Sequence, residues 1–116
     1  MAAKRILVIE DEFLIALDIS GALEQAGLVA IGPVGTVAEA LSTIDAGGID
    51  GALLDVHLSG EAVGPVADSL RARGIPFAFV TGGMREQLPD AHRGAPLVQK
   101  PFTDKDILAA IADFKS

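Results

Sequence analysis

Cysteine is absent from the 116-residue chain, which excludes disulfide scaffolds, zinc ribbons, thiol nucleophiles and iron-sulfur centres and leaves the redox compartment open. Tryptophan and tyrosine are absent too, so phenylalanine alone supplies the 4% aromatic content, and neither ring that commonly sandwiches an isoalloxazine is available for flavin. Basic residues are scarce, nine against sixteen acidic, and the resulting net charge of -7 opposes phosphate backbones and anionic membrane surfaces while favouring cations or basic protein patches. Long hydrophobic runs are missing: Ile6 to Ile9 and Phe77 to Val80 are typical, far short of the ~20 residues that cross a bilayer. The opening Met-Ala-Ala-Lys-Arg leads straight into a strand-like run, without a hydrophobic leader or a small-residue cleavage site. A cytoplasmic protein is expected, with neither nucleic acid nor membrane as partner.

What the chain does have is apolar residues, 50% of the total, and a domain of this length buries roughly two-thirds of its unfolded surface. One domain over residues 1–116 is therefore expected. Short apolar runs alternate with stretches of helical spacing. Ile6–Ile9, Leu28–Ile31, Ala52–Leu54, Phe77–Val80 and the weaker Leu97–Val98 are too short for helices and read as five buried strands. Between them, Ala16, Ile19, Leu23 and Ala26 step by three or four, as do Val37, Ala40, Leu41 and Ile44, then Val63, Val66, Ala67 and Leu70. Ile107, Ala110, Ile111 and Phe114 form a last amphipathic face, with Thr103 as its N-cap and Asp104 and Asp106 in its first turn. Gly27 and Gly74 suit helix exits. Met84–Gly94, with Pro89 inside and glycines at its edges, has room for a turn or two of helix at most. Strands apolar on both faces and alternating with helices predict a doubly wound α/β domain: a parallel sheet joined by right-handed crossovers, with helices on both faces.

Ligands of such sheets bind beyond the carboxyl ends of the strands, and there this sequence turns polar. Strand one ends in Glu10-Asp11-Glu12, strand three in Asp55, strand four in Thr81 and strand five in Lys100-Pro101, whereas strand two contributes only Gly32-Pro33. Carboxylates ~4 Å apart oppose one another's ionisation by about 4 kcal/mol at an effective dielectric near 20, so cations must offset them. Lys100 supplies one; a divalent ion with hard oxygen ligands, most naturally Mg2+, supplies the rest and leaves room for a phosphoryl oxygen. Phosphoryl transfer needs positioning and charge on the equatorial oxygens more than acid-base groups. The Thr81 hydroxyl and Lys100 ammonium suit that role, and Asp55 can attack phosphorus and carry the group as an acyl phosphate.

Val8-Ile9-Glu10-Asp11-Glu12, Leu53-Leu54-Asp55, Val80-Thr81-Gly82 and Lys100-Pro101-Phe102 stand in an order and spacing that resembles the receiver domain of response regulators over essentially the whole chain. The resemblance implies a flavodoxin-like five-stranded sheet of order 2-1-3-4-5. It implies a single-domain regulator of a two-component system or phosphorelay, in which Asp55 accepts a phosphoryl group from phosphohistidine with Thr81 and Lys100 on the phosphoryl oxygens. The implied metal is Mg2+, with Glu10, Asp11, Asp55 and His57 as its candidate set. A sensor histidine kinase or histidine phosphotransfer protein is the implied donor, docking on the first helix and the loop after strand five. The face made by the fourth and last helices and strand five is left for targets. No turnover beyond the protein's own phosphorylation and dephosphorylation is implied.

Three positions depart from the usual pattern. Three residues before the lysine, receivers carry an aromatic ring that swings inward when the threonine engages phosphate; here Leu97 stands in its place, so the relay lacks its ring, and residues 82–95 are expected to carry the change instead. Strand four resembles a subgroup ending Phe-x-x-Thr-Gly-Tyr, with Gly83 replacing the tyrosine. His57, two residues after Asp55, occupies a position that tunes acyl-phosphate hydrolysis, although an exposed loop histidine commonly has no such duty. Two alternatives carry less. A small Mg2+-dependent phosphohydrolase of the haloacid dehalogenase type would place its nucleophile after strand one and a second aspartate two residues on. A receiver-fold interaction module that never accepts phosphate would be expected to have lost a site residue.

Overall fold

The computed structural model describes residues 3–83 and 87–114. Its elements are β1 (Arg5–Ile9), α1 (Phe13–Gln25), β2 (Val29–Val34), α2 (Val37–Ala46), β3 (Gly51–Asp55), β4 (His57–Leu58), β5 (Glu61–Ala62), α3 (Gly64–Ala72), β6 (Phe77–Thr81), β7 (Leu97–Gln99) and α4 (Asp104–Ala112). Five strands form one sheet in the order β2-β1-β3-β6-β7, every neighbouring pair parallel. With β4 and β5 set aside as a separate hairpin, this is the expected 2-1-3-4-5 order.

Alternation along the central strands builds the two halves of the core. Leu7, Ile9, Leu54, Phe77 and Phe79 face one side and meet Ala40 and Ile44 of α2 and Val66 and Leu70 of α3. Ile6, Val8, Leu53, Ala78 and Val80 face the other and meet Ile19 and Leu23 of α1 and Ile107 and Ile111 of α4. Burial on both faces is what makes these strands continuously apolar in sequence. The ends follow local rules. Gly27 and Gly74 leave α1 and α3 with φ of 82° and 69°, a region that glycine enters without a Cβ penalty. Thr103 accepts from the Asp106 N–H while Asp106 accepts from the Thr103 N–H, a capping box that starts α4.

Three features differ from the sequence expectation. β2 continues past Ile31 to Val34 through a cis Gly32-Pro33 bond; a Cβ on Gly32 would lie 2.9 Å from the Val34 nitrogen and 3.0 Å from the Val8 carbonyl, so only glycine fits. The β4–β5 hairpin, with His57 opposite Ala62 and Leu58 opposite Glu61, turns through Ser59 and Gly60 at φ of 53° and 75°. Positive values at both central residues are those of a type I′ turn. Finally, part of the weak helical stretch, residues 84–86, lies outside the described residues. The remainder makes a 3-10 turn, Asp90–His92, in which His92 is buried edge-on against Phe77 with ring centroids 5.8 Å apart and its Nε2 lies 2.7 Å from Asp68 Oδ1 on α3. Among the described residues no helix is long and apolar enough to cross a membrane.

Candidate functional site

Strand register carries the polar groups to one rim. Ile9 pairs with Leu54, Asp55 with Val80 and Thr81 with Gln99, so Glu10, Asp55, Thr81 and Lys100 emerge side by side where the strands end. The Glu10 N–H bonds the Val34 carbonyl at 3.0 Å, and the Lys100 N–H bonds the Thr81 carbonyl at 2.9 Å. Main-chain pairing therefore fixes both residues beyond the last strand position. The Lys100-Pro101 bond is cis.

Asp55, Thr81 and Lys100 wall an open cleft of about 490 Å3, together with Asp11, Glu12, His57 and the glycines at 60, 82 and 83. One ligand oxygen from each of Glu10, Asp11 and Asp55 lies within 4.8 Å of the others. Lys100 Nζ stands 3.0 Å from Glu10 Oε1 and 3.8 Å from Asp55 Oδ2. Asp55 is only 5% exposed, yet its carboxylate lines the cleft and accepts the His57 N–H on Oδ1 at 3.2 Å. The buried Thr81 accepts the Gly83 N–H on Oγ1 at 3.0 Å, which leaves its own proton to donate into the cleft.

Electrostatics tie the cluster together. Burial pushes the Glu10 carboxyl up to about 7 from an ordinary 4.5, reinforced by its hydrogen bond and repulsion with Asp55 and opposed by Lys100 and the Glu12 N–H. For Lys100, burial pulls downward, but the hydrogen bond to Glu10 and the charges of Asp55, Glu10 and Glu12 outweigh it and raise the ammonium above its ordinary range. Three carboxylates against one ammonium leave a formal excess of two negative charges. Hard oxygen donors with that excess fit Mg2+: Glu10, Asp11 and Asp55 would hold it.

Every sequence-derived site residue thus reaches the rim, with one distinction. His57 contributes its main chain to Asp55, while its exposed side chain lines the cleft and is not part of the carboxylate cluster. Sequence reasoning missed Ser59, whose N–H bonds Asp11 Oδ2 at 2.9 Å and whose hydroxyl bonds the Gly35 carbonyl at 2.6 Å. Its one signal is the Ser-Gly pair four residues after Asp55, which marks a turn.

A doubly wound sheet of this order, with acidic groups, a hydroxyl and a lysine converging at its carboxyl edge, defines the receiver class of response regulators. No family model matches the chain; individual relatives do. SdrG from Sphingomonas melonis Fr1 is 45% identical, with 97% of each chain covered and a TM-score of 0.86 for its solution structure against 0.80 for its BeF3-activated conformation. The response regulator PhyR from Brucella abortus is 32% identical at a TM-score of 0.83, over 97% of this chain and 48% of that one. The phyllosphere-induced regulator PhyR of Methylorubrum extorquens is 33% identical over 115 residues, and the match covers 95% of this chain but 43% of that protein. The chain belongs to the response regulator receiver family, and it is a signalling protein of that kind.

Proposed function

We propose that this receiver takes one phosphoryl group from a phosphohistidine onto the carboxylate of Asp55 in a Mg2+-dependent reaction. The phosphorus-nitrogen bond of the donor breaks, a phosphorus-oxygen bond to Asp55 forms, and the departing imidazole keeps its electron pair and takes up a proton. Lys100, 3.8 Å from Asp55 Oδ2, is near enough to follow the oxygens of the incoming group, and the Thr81 hydroxyl donates to a second. When bound by Glu10, Asp11 and Asp55, Mg2+ supplies positive charge to the phosphoryl oxygens. The observation that carries this reading is the convergence of the Asp55 carboxylate with Lys100, Thr81 and two further acids at the wall of one open cleft.

The donor is a sensor histidine kinase or histidine phosphotransfer protein. On α1, Phe13, Leu14 and Leu17 are 65%, 76% and 52% exposed, an apolar strip suited to a helix from the donor. Beside α1, a hollow of about 360 Å3 lined by Ile15, Asp18, Lys100, Pro101 and Phe102 shares Lys100 with the cleft. Phosphorylation then acts through protein contacts that differ between the two forms.

Incubation with acetyl phosphate and Mg2+, followed by intact-mass measurement, is the test. One phosphoryl increment is expected, lost in Asp55→Asn and without metal. An unmodified wild-type mass, or an increment that survives Asp55→Asn, overturns the assignment.

A further inference from the structure

We infer that Ser59 is a positioning residue that fixes the metal-side carboxylate of Asp11, an inference that rests on the reading of Asp11 as a Mg2+ ligand. Asp11 lies on an exposed loop between β1 and α1, where nothing in its own segment fixes the carboxylate's direction. The Ser59 N–H does so from 48 residues away, at 2.9 Å from Oδ2, and leaves the other oxygen for the cation.

That N–H points correctly only while the hairpin tip is held. Ser59 is the one described non-glycine residue with positive φ, at 53°, a conformation that needs support from its surroundings. Three contacts supply it. The Ser59 hydroxyl donates to the Gly35 carbonyl at 2.6 Å, pinning the tip to the loop that follows β2. Glu61 Oε1 accepts the N–H of Val37, the first residue of α2, at 3.2 Å, pinning the returning strand. Leu58 is completely buried and roots the outgoing strand in the core. The hairpin is therefore a brace: at its root the His57 N–H holds Asp55, and at its tip the Ser59 N–H holds Asp11. The side-chain bond from Ser59 to Gly35 is the removable part, since substitution leaves the N–H in place and takes away only what aims it.

The test is Mg2+ titration by calorimetry on the full chain, with metal-free melting measured alongside, for Ser59→Gly and Ser59→Ala. Glycine adopts positive φ freely and alanine keeps the Cβ, so a change common to both reports the hydroxyl. Loss of a positioning hydrogen bond predicts Mg2+ affinity weakened roughly 3- to 10-fold in both. Metal-free melting should be little changed, and phosphorylation should be restored at saturating Mg2+. Affinity within about twofold of the parent in both variants, or weakened binding that merely tracks a lowered melting temperature, overturns the proposal. Asp11→Asn separates the two levels. If it binds Mg2+ as the parent does, the metal assignment falls and the brace with it; if it binds weakly while the Ser59 variants bind normally, only the brace falls.

Discussion

Glu10 is the residue whose chemistry can be followed without a phosphodonor. Its folded-state value of about 7 lies above its ordinary 4.5, so between those pH values the folded chain keeps a proton that the unfolded chain has released. The contribution of Glu10 to the stability of the metal-free protein should then be fully present below about pH 4.5, fall as pH rises towards 7 and level off above it, by a total on the order of 3 kcal/mol. Denaturant unfolding from pH 5 to 8 in chelator should show that slope, and Glu10→Gln should flatten it; an unchanged slope in the variant would assign the proton elsewhere. A Mg2+ ion held by the same carboxylate would compete with that proton, so its affinity should climb over the same interval. The meeting of the site residues at one rim was readable from sequence, because Glu10, Asp55 and Thr81 each directly follow a short apolar run read as a buried strand and Lys100 follows the weaker run Leu97–Val98 after one intervening residue. Ser59 was not, because its hydroxyl and N–H act on Gly35 and Asp11, distant in sequence, and no periodicity records such a bond.

At the scale of elements, the stretch between β6 and β7 is the departure from a plain βα repeat. Its described part is tied to α3 twice, by His92 Nε2 at 2.7 Å from Asp68 Oδ1 and by Arg71 donating to the Ala91 carbonyl at 3.3 Å. Leu88 and Ala95 are buried beside these ties. Removing the imidazole in His92→Ala should cost about 2 kcal/mol, the usual scale for a buried polar contact with its packing. It should also speed amide exchange over residues 90–95 while leaving β1 and β3 protected; uniform protection would show that the latch holds nothing. The five strands of the sheet were legible from their short apolar runs, as were α1, α2, α3 and α4 from their spacing. The hairpin was not, since two residues per strand leave no alternation to detect. The end of β2 was hidden by Gly32-Pro33, which reads as a breaker because proline gives a sheet no N–H.

For the molecule as a whole, folding and ion binding should be linked. The carboxylates of Glu10, Asp11 and Asp55 come together only when β1 and β3 are paired, so a Mg2+ ion held by them would bind the folded chain and not the unfolded one. The melting temperature should rise with the logarithm of Mg2+ concentration above its dissociation constant. Scanning calorimetry should show this for the wild type and not for Asp11→Asn with Asp55→Asn; equal rises in both would place the ion elsewhere. With net charge -7, part of any salt effect is general screening, which a matched ionic strength of KCl controls.

The sheet register has a consequence for where damage can originate. Since Asp55 stands one residue beyond the fully buried Leu54, and Thr81 and Lys100 are joined through their own backbones, the distances at the rim are inherited from interior packing rather than adjusted locally. A lesion deep beneath the cleft, such as trimming Phe79, would blunt the chemistry by misaligning its parts before the chain lost its shape, and it would masquerade as an active-site defect.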